Sequence, residues 1–559
     1  MLDNYFIADQ FSLLSKLMDI HGENSFKTKS YSIAAFNIEK LPVQLAETDR
    51  DKIFSIKGIG ENIGKKILEI LDTGELPALK AIIQKTPAGI IEMLQIKGIG
   101  PKKISTIWKE MEIESIGELL YACNENRLLL YKGFGEKTQK NIADTIEFYL
   151  KSQGSFLYAE IEKMALNLEE QFKQKFPQAK TSLTGAFRQQ QVVIHLLELV
   201  TTVSASEIKT FVEEGLQMKE MERGDDFVSY KGRENIVLKF FFASDQNFYS
   251  RLFETSSQPE FLEAWKKQHP GAEPEFVHEQ AIFDAAEIPF IPAWLRESDS
   301  ILQKEHHDKI HHIIQPSDIK GIIHNHSNWS DGLKTIEEMA AACIEKGYEY
   351  LVISDHSKTA FYANGLSEER IAQQHIYIDE LNKKLAPFRI YKSVESDILN
   401  DGSLDYDEDV LASFDLVIAS VHSNLKMTEE KAMMRLINAI ENPYTTILGH
   451  MTGRLLLSRN GYPVDHIKVI DACAANQVVI ELNAHPRRLD IDWKYIGYAL
   501  EKGVLISIDP DAHSIEGFDD VRYGVLAAQK ALVTPKDNLS SFSKIEFEDF
   551  LGEQRRLKL

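Results

Sequence analysis

From residue 321 onward the chain alternates short apolar runs with amphipathic stretches. Seven runs stand out, at 321–326, 350–356, 389–395, 415–422, 445–450, 477–483 and 504–513. β-Branched apolar runs of this length predict buried parallel strands. The stretches 336–346 and 429–440 between them carry helical periodicity. Strand and helix in alternation predict a βα barrel or an open parallel sheet. Both architectures gather their chemistry at the C-terminal ends of the strands.

Polar residues sit at or just beyond those ends: His324, His326, Asp331, His356, Glu395, His422, His450, Asp511 and His513. His324 and His326 are two apart, as are Asp511 and His513, so on a strand each pair faces one way. Imidazole suits zinc or iron, and carboxylate also suits manganese and magnesium. Nine candidate ligands exceed what one ion can use. Two or three divalent ions fit better, with Glu395 or Asp511 as a bridge. Clustered divalent ions point to phosphate-ester hydrolysis.

The front of the chain is patterned differently. The segments 54–71, 94–108 and 129–146 each read as an apolar turn, then Lys-Gly-apolar-Gly, then an amphipathic helix, at spacings of 40 and 35 residues. Glycine permits close approach of a phosphate, and a helix N-terminus offers free N–H groups and a positive dipole end. Gly58, Gly60, Lys65, Lys66, Gly98, Gly100, Lys102, Lys103, Gly133 and Gly135 are therefore candidate contacts to DNA backbone, with Lys57, Lys97, Lys132 and Lys137 beside them. One such turn could be an ordinary helix cap. Three copies favour a binder that grips phosphates without reading sequence.

Composition fits a multidomain globular enzyme. At 559 residues several domains are expected. The three cysteines, Cys123, Cys343 and Cys473, are far apart and suggest neither disulfides nor a thiolate zinc site. The first ten residues lack the basic flank of a signal peptide, and no apolar run approaches the roughly 20 residues of a membrane span. The expectation is a cytoplasmic protein with no membrane partner. A net charge of −22 argues against a nucleic-acid partner, but the acid is unevenly spread. Residues 1–150 hold 19 Lys and Arg against 21 Asp and Glu, so the excess lies behind them, where part of it is candidate ligand that cations would offset.

The stretches HNHSNWSDG (324–332), SDHS (354–357), GHMTGRLLL (449–457), ELNAHPRRLD (481–490) and DAHS (511–514) resemble the polymerase-and-histidinol-phosphatase (PHP) phosphoesterases. ESDILNDGSLDY (395–406) and GRLLLSRNGY (453–462) resemble, more narrowly, the C-terminal exonuclease domain of bacterial and archaeal family-X DNA polymerases, with Met451 where that subgroup usually has Pro. The resemblance implies a seven-stranded α/β barrel. It also implies one ion on His324, His326, Glu395 and Asp511, a second on Glu395, His422 and His450, and a third on Asp331, His356 and His513. NSFKTKSYSIAA (24–35) with KGIGENIGKKILEILDTGEL (57–76) resembles that family's N-terminal lyase domain. Lys66 then falls at the Schiff-base position, or simply contacts phosphate, with Lys27 and Tyr31 near phosphate-binding positions.

The middle departs from that family. LTGAFRQQQVVIHLLELV (183–200) keeps Gly185 and Arg188 of the palm's Gly-Ser-x-Arg-Arg, but Ala186 and Gln189 replace Ser and the second Arg. The paired aspartates that should follow are missing, with Glu198 a solvated strand residue or else a remnant ligand, and 235–242 carries no third carboxylate. Nucleotidyl transfer needs metal ions held by at least two carboxylates. VHEQAIFDAAEIPFIPAWLRES (277–298) still resembles the thumb.

The expected organisation is a lyase-like helix-hairpin-helix domain at 1–85 and a fingers-like helix-hairpin-helix region at 86–150. An α+β nucleotidyltransferase-like palm and thumb, degenerate, with a linker, follows at 151–316, and the PHP barrel at 317–559. The expected function is a metal-dependent 3′–5′ exonuclease or 3′-end trimming enzyme of base-excision repair, acting on gapped or 3′-ended DNA beside other repair proteins. Zinc, manganese or iron would be its metal, magnesium a further option. Candidate catalytic residues are His324, Asp331 and Arg454; Arg454, Arg487 and Arg488 are phosphate clamps by position or else partners in salt bridges. Alternatives are a gap-filling polymerase with an unusual palm, a non-enzymatic binder of DNA ends and a histidinol-phosphatase-like enzyme of small molecules.

Overall fold

The computed structural model describes residues 3–559, apart from 42, 57, 58, 97, 152, 153, 233, 234 and 271–274. The chain divides into two compact units, Met1–Asn124 with Leu128–Tyr149, and Glu125–Arg127 with Leu150–Leu559.

The first unit is helical. Helix Asn4–His21 starts where the Asp3 side chain accepts the Phe6 N–H and ends at Gly22, whose φ of 78° is open to glycine. It packs through Ile7, Phe11, Leu14 and Leu17 against the Tyr31, Ala34, Ala35 and Ile38 face of helix Ser25–Glu39. Helices Glu61–Thr73, Pro101–Lys109 and Glu136–Lys151 each begin directly after the second glycine of a Lys-Gly-x-Gly turn.

The second unit opens with a five-stranded sheet in the order Thr181–Thr184, Leu197–Thr201, Val237–Phe242, Phe227–Lys231, Lys219–Arg223. Only the Leu197–Thr201 and Val237–Phe242 pair is parallel. Helix Tyr158–Lys175 buries Ile161, Ala165, Leu168 and Phe172 against it. An aromatic cluster of Phe253, Phe261, Trp265 and Phe283 then joins helices Phe248–Thr255, Pro259–Gln268 and Gln280–Ala285.

The rest of the unit is a barrel of seven parallel strands in chain order: Gly321–Ile322, Tyr350–Ile353, Arg389–Asp397, Leu416–Ser420, Ile447–Leu448, Val479–Asn483 and Ile506–Asp509. Each follows from one of the seven apolar runs. Helices Ile336–Lys346 and Glu429–Glu441 fall where the helical periodicity predicts them, each opened by a threonine cap, Thr335 or Thr428. The barrel is nearly closed: just beyond its first and last strands His326 N–H donates to the Ala512 carbonyl (2.9 Å) and Asn325 bridges Ala512.

Five of the seven expected strands stop short of the polar residue that ends the run. His324 (φ 59°) and Asp511 (φ 53°) lie in left-handed backbone beyond their strands. Strand alternation is therefore not what aims the pairs His324/His326 and Asp511/His513. Kinked backbone does, a costly conformation for residues with a Cβ and one that clusters at functional sites. No described helix is long and apolar enough to cross a membrane.

Candidate metal centre

All nine candidate ligands converge at the C-terminal mouth of the barrel, and all but His422 are buried. Among the described residues three groups bring ligand atoms within 4.8 Å of one another: His326, Asp331, His356 and His513; His324, His326 and Asp511; and His356, Glu395 and His422. His326 and His356 are thus each shared between groups. Glu395, on the central strand Arg389–Asp397, is the hub. Its Oε1 lies 3.3 Å from His324 Nε2, 3.0 Å from His422 Nε2 and 2.9 Å from His450 Nε2, and its Oε2 lies 2.9 Å from His356 Nδ1. Asp511 Oδ1 lies 3.0 Å from His326 Nε2 and 3.6 Å from His324 Nε2. Asp331 lies between His356 and His513, at 3.7 and 3.5 Å.

Charge is balanced inside the cluster. Burial drives the His326 imidazole down to about 3, aided by its His513 and His356 neighbours. His422 and His513 go the other way, to about 10. Burial opposes this, but Glu395 and Asp397 overcome it for the first, and Asp331 above all for the second. Burial works against Glu395 and Asp511 too, yet the facing histidines hold both carboxyls well below the usual range. Carboxylates and raised histidines thus face one another, and divalent cations can take the place of the histidines' protons.

Divalent metal ions fit these residues. His324 Nε2, His326 Nδ1, Asp331 Oδ2, Glu395 Oε2, His450 Nδ1 and His513 Nε2 are buried and make no hydrogen bond of ordinary geometry among the described residues. Buried polar atoms without partners are costly, and imidazole nitrogen with carboxylate oxygen is a donor set for divalent ions.

Carboxylates behind the histidines fix their orientation, and residue-by-residue inspection of the strand ends misses them. His324 Nδ1 pairs with Glu481 and His422 Nδ1 with Asp397. Asn483 Nδ2 donates to Asp511 Oδ2 (3.1 Å). Asp355, next to His356, accepts from Ser327, Ser330 and Gln374 and so anchors the loop that carries Asp331. Glu481 and Asn483 share a strand face, as do Glu395 and Asp397, so an i, i+2 search would have found them. Such partners raise ligand basicity and select the tautomer.

The arginines divide. Arg454 is spent on structure: its guanidinium donates to Asp492 Oδ2 (2.6 Å) and to the carbonyls of Arg488 and Leu489. Arg487 turns away, to Glu160 (2.6 Å). Arg488 approaches the cluster, with Nε 3.7 Å from Asp511 Oδ2.

In the palm-like sheet Glu198 is half-buried rather than a freely solvated residue. Its carboxylate accepts the Ala186 N–H, lies over Gly185 and is pushed up by burial, and its strand partner is Lys239. Arg188 is held bidentately by Glu279, at 2.9 and 2.6 Å.

In the helical unit Gly98 and Gly133 adopt φ of 95° and 97°, while Gly60, Gly100 and Gly135 have open space where a Cβ would stand. Gly58, with Lys57 and Lys97, lies outside the described residues. No side chain caps the helices that follow Gly60 and Gly100, so their first N–H groups remain for a ligand. Lys102 and Lys103 lie in the first turn of helix Pro101–Lys109. Lys65 pairs with Glu61 on the surface, and Lys66 is half-buried. Tyr31 is a core residue stacked on Phe11, not a surface phosphate contact.

The comparisons bear on the helical unit and the barrel by family, and on the whole chain by one relative. Residues 3–76 match a helix-hairpin-helix domain, 90–147 a SAM-like helix-hairpin-helix tandem and 323–485 a PHP domain. The chain is similar to the DNA polymerase/3′-5′ exonuclease PolX of Bacillus subtilis (strain 168), 34% identical over 96% of both proteins. It is also similar to probable phosphatases. One, from Caldanaerobacter subterraneus subsp. tengcongensis, is 29% identical over 40% of this chain and 86% of its own. Another, from Shewanella oneidensis, is 25% identical over the same shares. With near full-length similarity, helix-hairpin-helix domains at the front and a PHP barrel behind, the chain belongs to the family-X DNA polymerases that carry a C-terminal PHP domain.

Proposed function

We propose that the chain is a metal-dependent 3′–5′ exonuclease that trims DNA ends in base-excision repair, and that its polymerase site is inactive. The observation that carries the hydrolytic reading is the convergence of nine candidate ligands, with Glu395 as their hub, in one buried cluster. His324, His326, Glu395, Asp511, His422, His450, Asp331, His356 and His513 would hold two or three divalent ions, which when bound activate water and neutralise charge on the phosphate. Glu481 and Asp397 keep His324 and His422 in one tautomer with Nε2 directed inward. Arg488 offers a guanidinium to a phosphate oxygen. The glycine turns at Gly60, Gly100 and Gly135 grip backbone phosphates, with the flanking lysines. Lys66 serves as a phosphate contact.

Loss of nucleotidyl transfer is supported by the palm. Glu198 and Lys239 face each other where carboxylates would be needed, and Arg188 is occupied by Glu279. The helical unit favours DNA over a small phosphomonoester. The four-part division at 85, 150 and 316 belongs to this reading.

The test is cleavage of 3′-tailed and gapped DNA by the full chain, before and after chelation and readdition of Mn²⁺, with metal analysis of the purified protein. Cleavage lost on chelation and in His324→Ala is the expected result. Trimming at the wild-type rate in His324→Ala would make the cluster structural and place cleavage elsewhere, and no cleavage by the wild-type chain under any of these conditions would leave a DNA-end binder.

A further inference from the structure

The palm-like sheet lacks the carboxylates for nucleotidyl transfer, yet polar contacts join its layer to the barrel. Lys530 Nζ donates to the Gln189 carbonyl (2.8 Å) and pairs with Glu297. Arg522, on helix Val521–Gln529, pairs with Glu162 of helix Tyr158–Lys175. On the same helix Glu160 divides its carboxylate. Oε2 accepts the Leu157 N–H (2.9 Å) and closes the helix start, and Oε1 accepts from Arg487 Nη2 (2.6 Å).

Arg487 belongs to the loop at 484–490, which leaves the barrel strand Val479–Asn483 and returns where Asn483 N–H donates to the Asp490 carbonyl (2.7 Å). Arg487 and Arg488 are adjacent, both buried, and point opposite ways, one to the palm helix and the other to Asp511. Anchoring Arg487 therefore fixes the backbone from which Arg488 projects. The loop is pinned again where Leu456 N–H donates to the Arg487 carbonyl (2.6 Å). A barrel of this kind does not require the palm to fold. The probable phosphatases match 237 residues of this chain over 86% of their own length, which leaves no room for the rest of it.

We propose that the palm-like layer is a brace for the barrel, and that Glu160 is a positioning residue. Through Arg487 it holds the 484–490 loop so that the Arg488 guanidinium stands at the Asp511 side of the cluster, where it takes a phosphate oxygen of the DNA strand. A planar guanidinium suits that contact, and its value depends on being held in place. The inference rests on the hydrolytic reading above. It explains why a palm without its chemistry remains packed on the barrel.

Glu160→Gln in the full chain is the informative variant. The amide keeps an oxygen for the Leu157 N–H, so the helix start survives, but it has no charge to hold Arg487. Two readouts are needed: backbone hydrogen exchange across 484–490, and kcat/KM on 3′-tailed DNA. Exchange in the loop should rise, and kcat/KM should fall about 10- to 100-fold, the range typical for losing a partner that orients a site residue. Arg488→Ala should cost as much, the double variant should be no worse than Arg488→Ala alone, and Glu160→Asp should recover part of the loss. Merely structural damage would add to the Arg488→Ala loss instead of merging with it. Unchanged exchange and rate in Glu160→Gln, or losses that multiply in the double variant, would overturn the brace. If the wild-type chain cleaves no DNA, the hydrolytic reading falls, and exchange in the loop still decides whether Glu160 holds it.

Discussion

His324 and Glu481 form a hydrogen-bonded pair with no solvent contact, one on the bend after the first barrel strand and the other inside the sixth. The carboxylate engages Nδ1 and leaves Nε2 facing Glu395 and Asp511. Burial alone would push the imidazole down, yet Glu481, Asp511 and Glu395 together raise it well above its ordinary value. Such a histidine gives up its proton to a cation, so metal affinity should climb with pH. Glu481→Gln keeps the shape and removes the charge. Affinity for Zn²⁺ or Mn²⁺, measured by chelator competition, should fall about 10- to 100-fold. Unchanged affinity would mean that Glu481 only packs.

The palm yields a negative expectation. No dNTP should be incorporated on gapped DNA with Mg²⁺ or Mn²⁺, because Glu198 is drawn to the Ala186 N–H and faces Lys239 across the strands. Template-directed extension that survives His324→Ala but disappears in Glu198→Ala would reverse this.

Much of the site was legible because buried parallel strands are written as continuous apolar runs, and the residue ending each run is unlike the run. Glu395 and His450 could be named on that ground alone. What could not be seen is backbone that leaves the strand early. His324 and Asp511 share the site through left-handed kinks, and no side-chain pattern encodes them. Arg454 looked like a phosphate clamp because a sequence cannot say that Asp492 and two carbonyls lie within its reach. Glu198 looked solvated because its contact is a backbone N–H next to a glycine rather than a side chain.

A stability prediction comes from Glu279. It binds both Arg188 and Arg296, and although burial opposes ionisation, the two guanidinium groups hold its carboxyl down to about 2. A depressed carboxylate stabilises fully above its ordinary pKa near 4.5 and loses that contribution as pH falls toward 2. The carboxylate's share is about 3 kcal/mol by the usual conversion. Burial of Arg296, pushed down to about 10, offsets a share of similar size, so the pH profile rather than the net stability carries the test. The Tm advantage of wild type over Glu279→Gln should be largest near pH 7 and shrink between pH 4 and pH 2.5. A constant advantage across that range would exclude the ion pair as its source.

The hairpins make a separate prediction. Nothing stands within 4 Å of a Cβ built at Gly100 or Gly135, and neither has positive φ. Valine at both positions should leave the helical unit folded yet block a phosphate, lowering DNA affinity about tenfold without sequence dependence. The slope of log affinity against log salt should become shallower, and hydrolysis of a small aryl phosphodiester should not change. Equal DNA affinity in variant and wild type would remove these turns from the interface.

The join between Asn325 and Ala512 has a consequence for synthesis of the protein. The barrel's opening strand supplies His324 and His326, and its closing strand leads into Asp511 and His513. A nascent chain on the ribosome therefore presents its glycine-turn helices long before it can cut. Two of the three ligand groups, those with Asp511 and His513, are complete only when the two ends of the barrel have met, so a polypeptide that stops before residue 511 holds only the His356, Glu395 and His422 group intact.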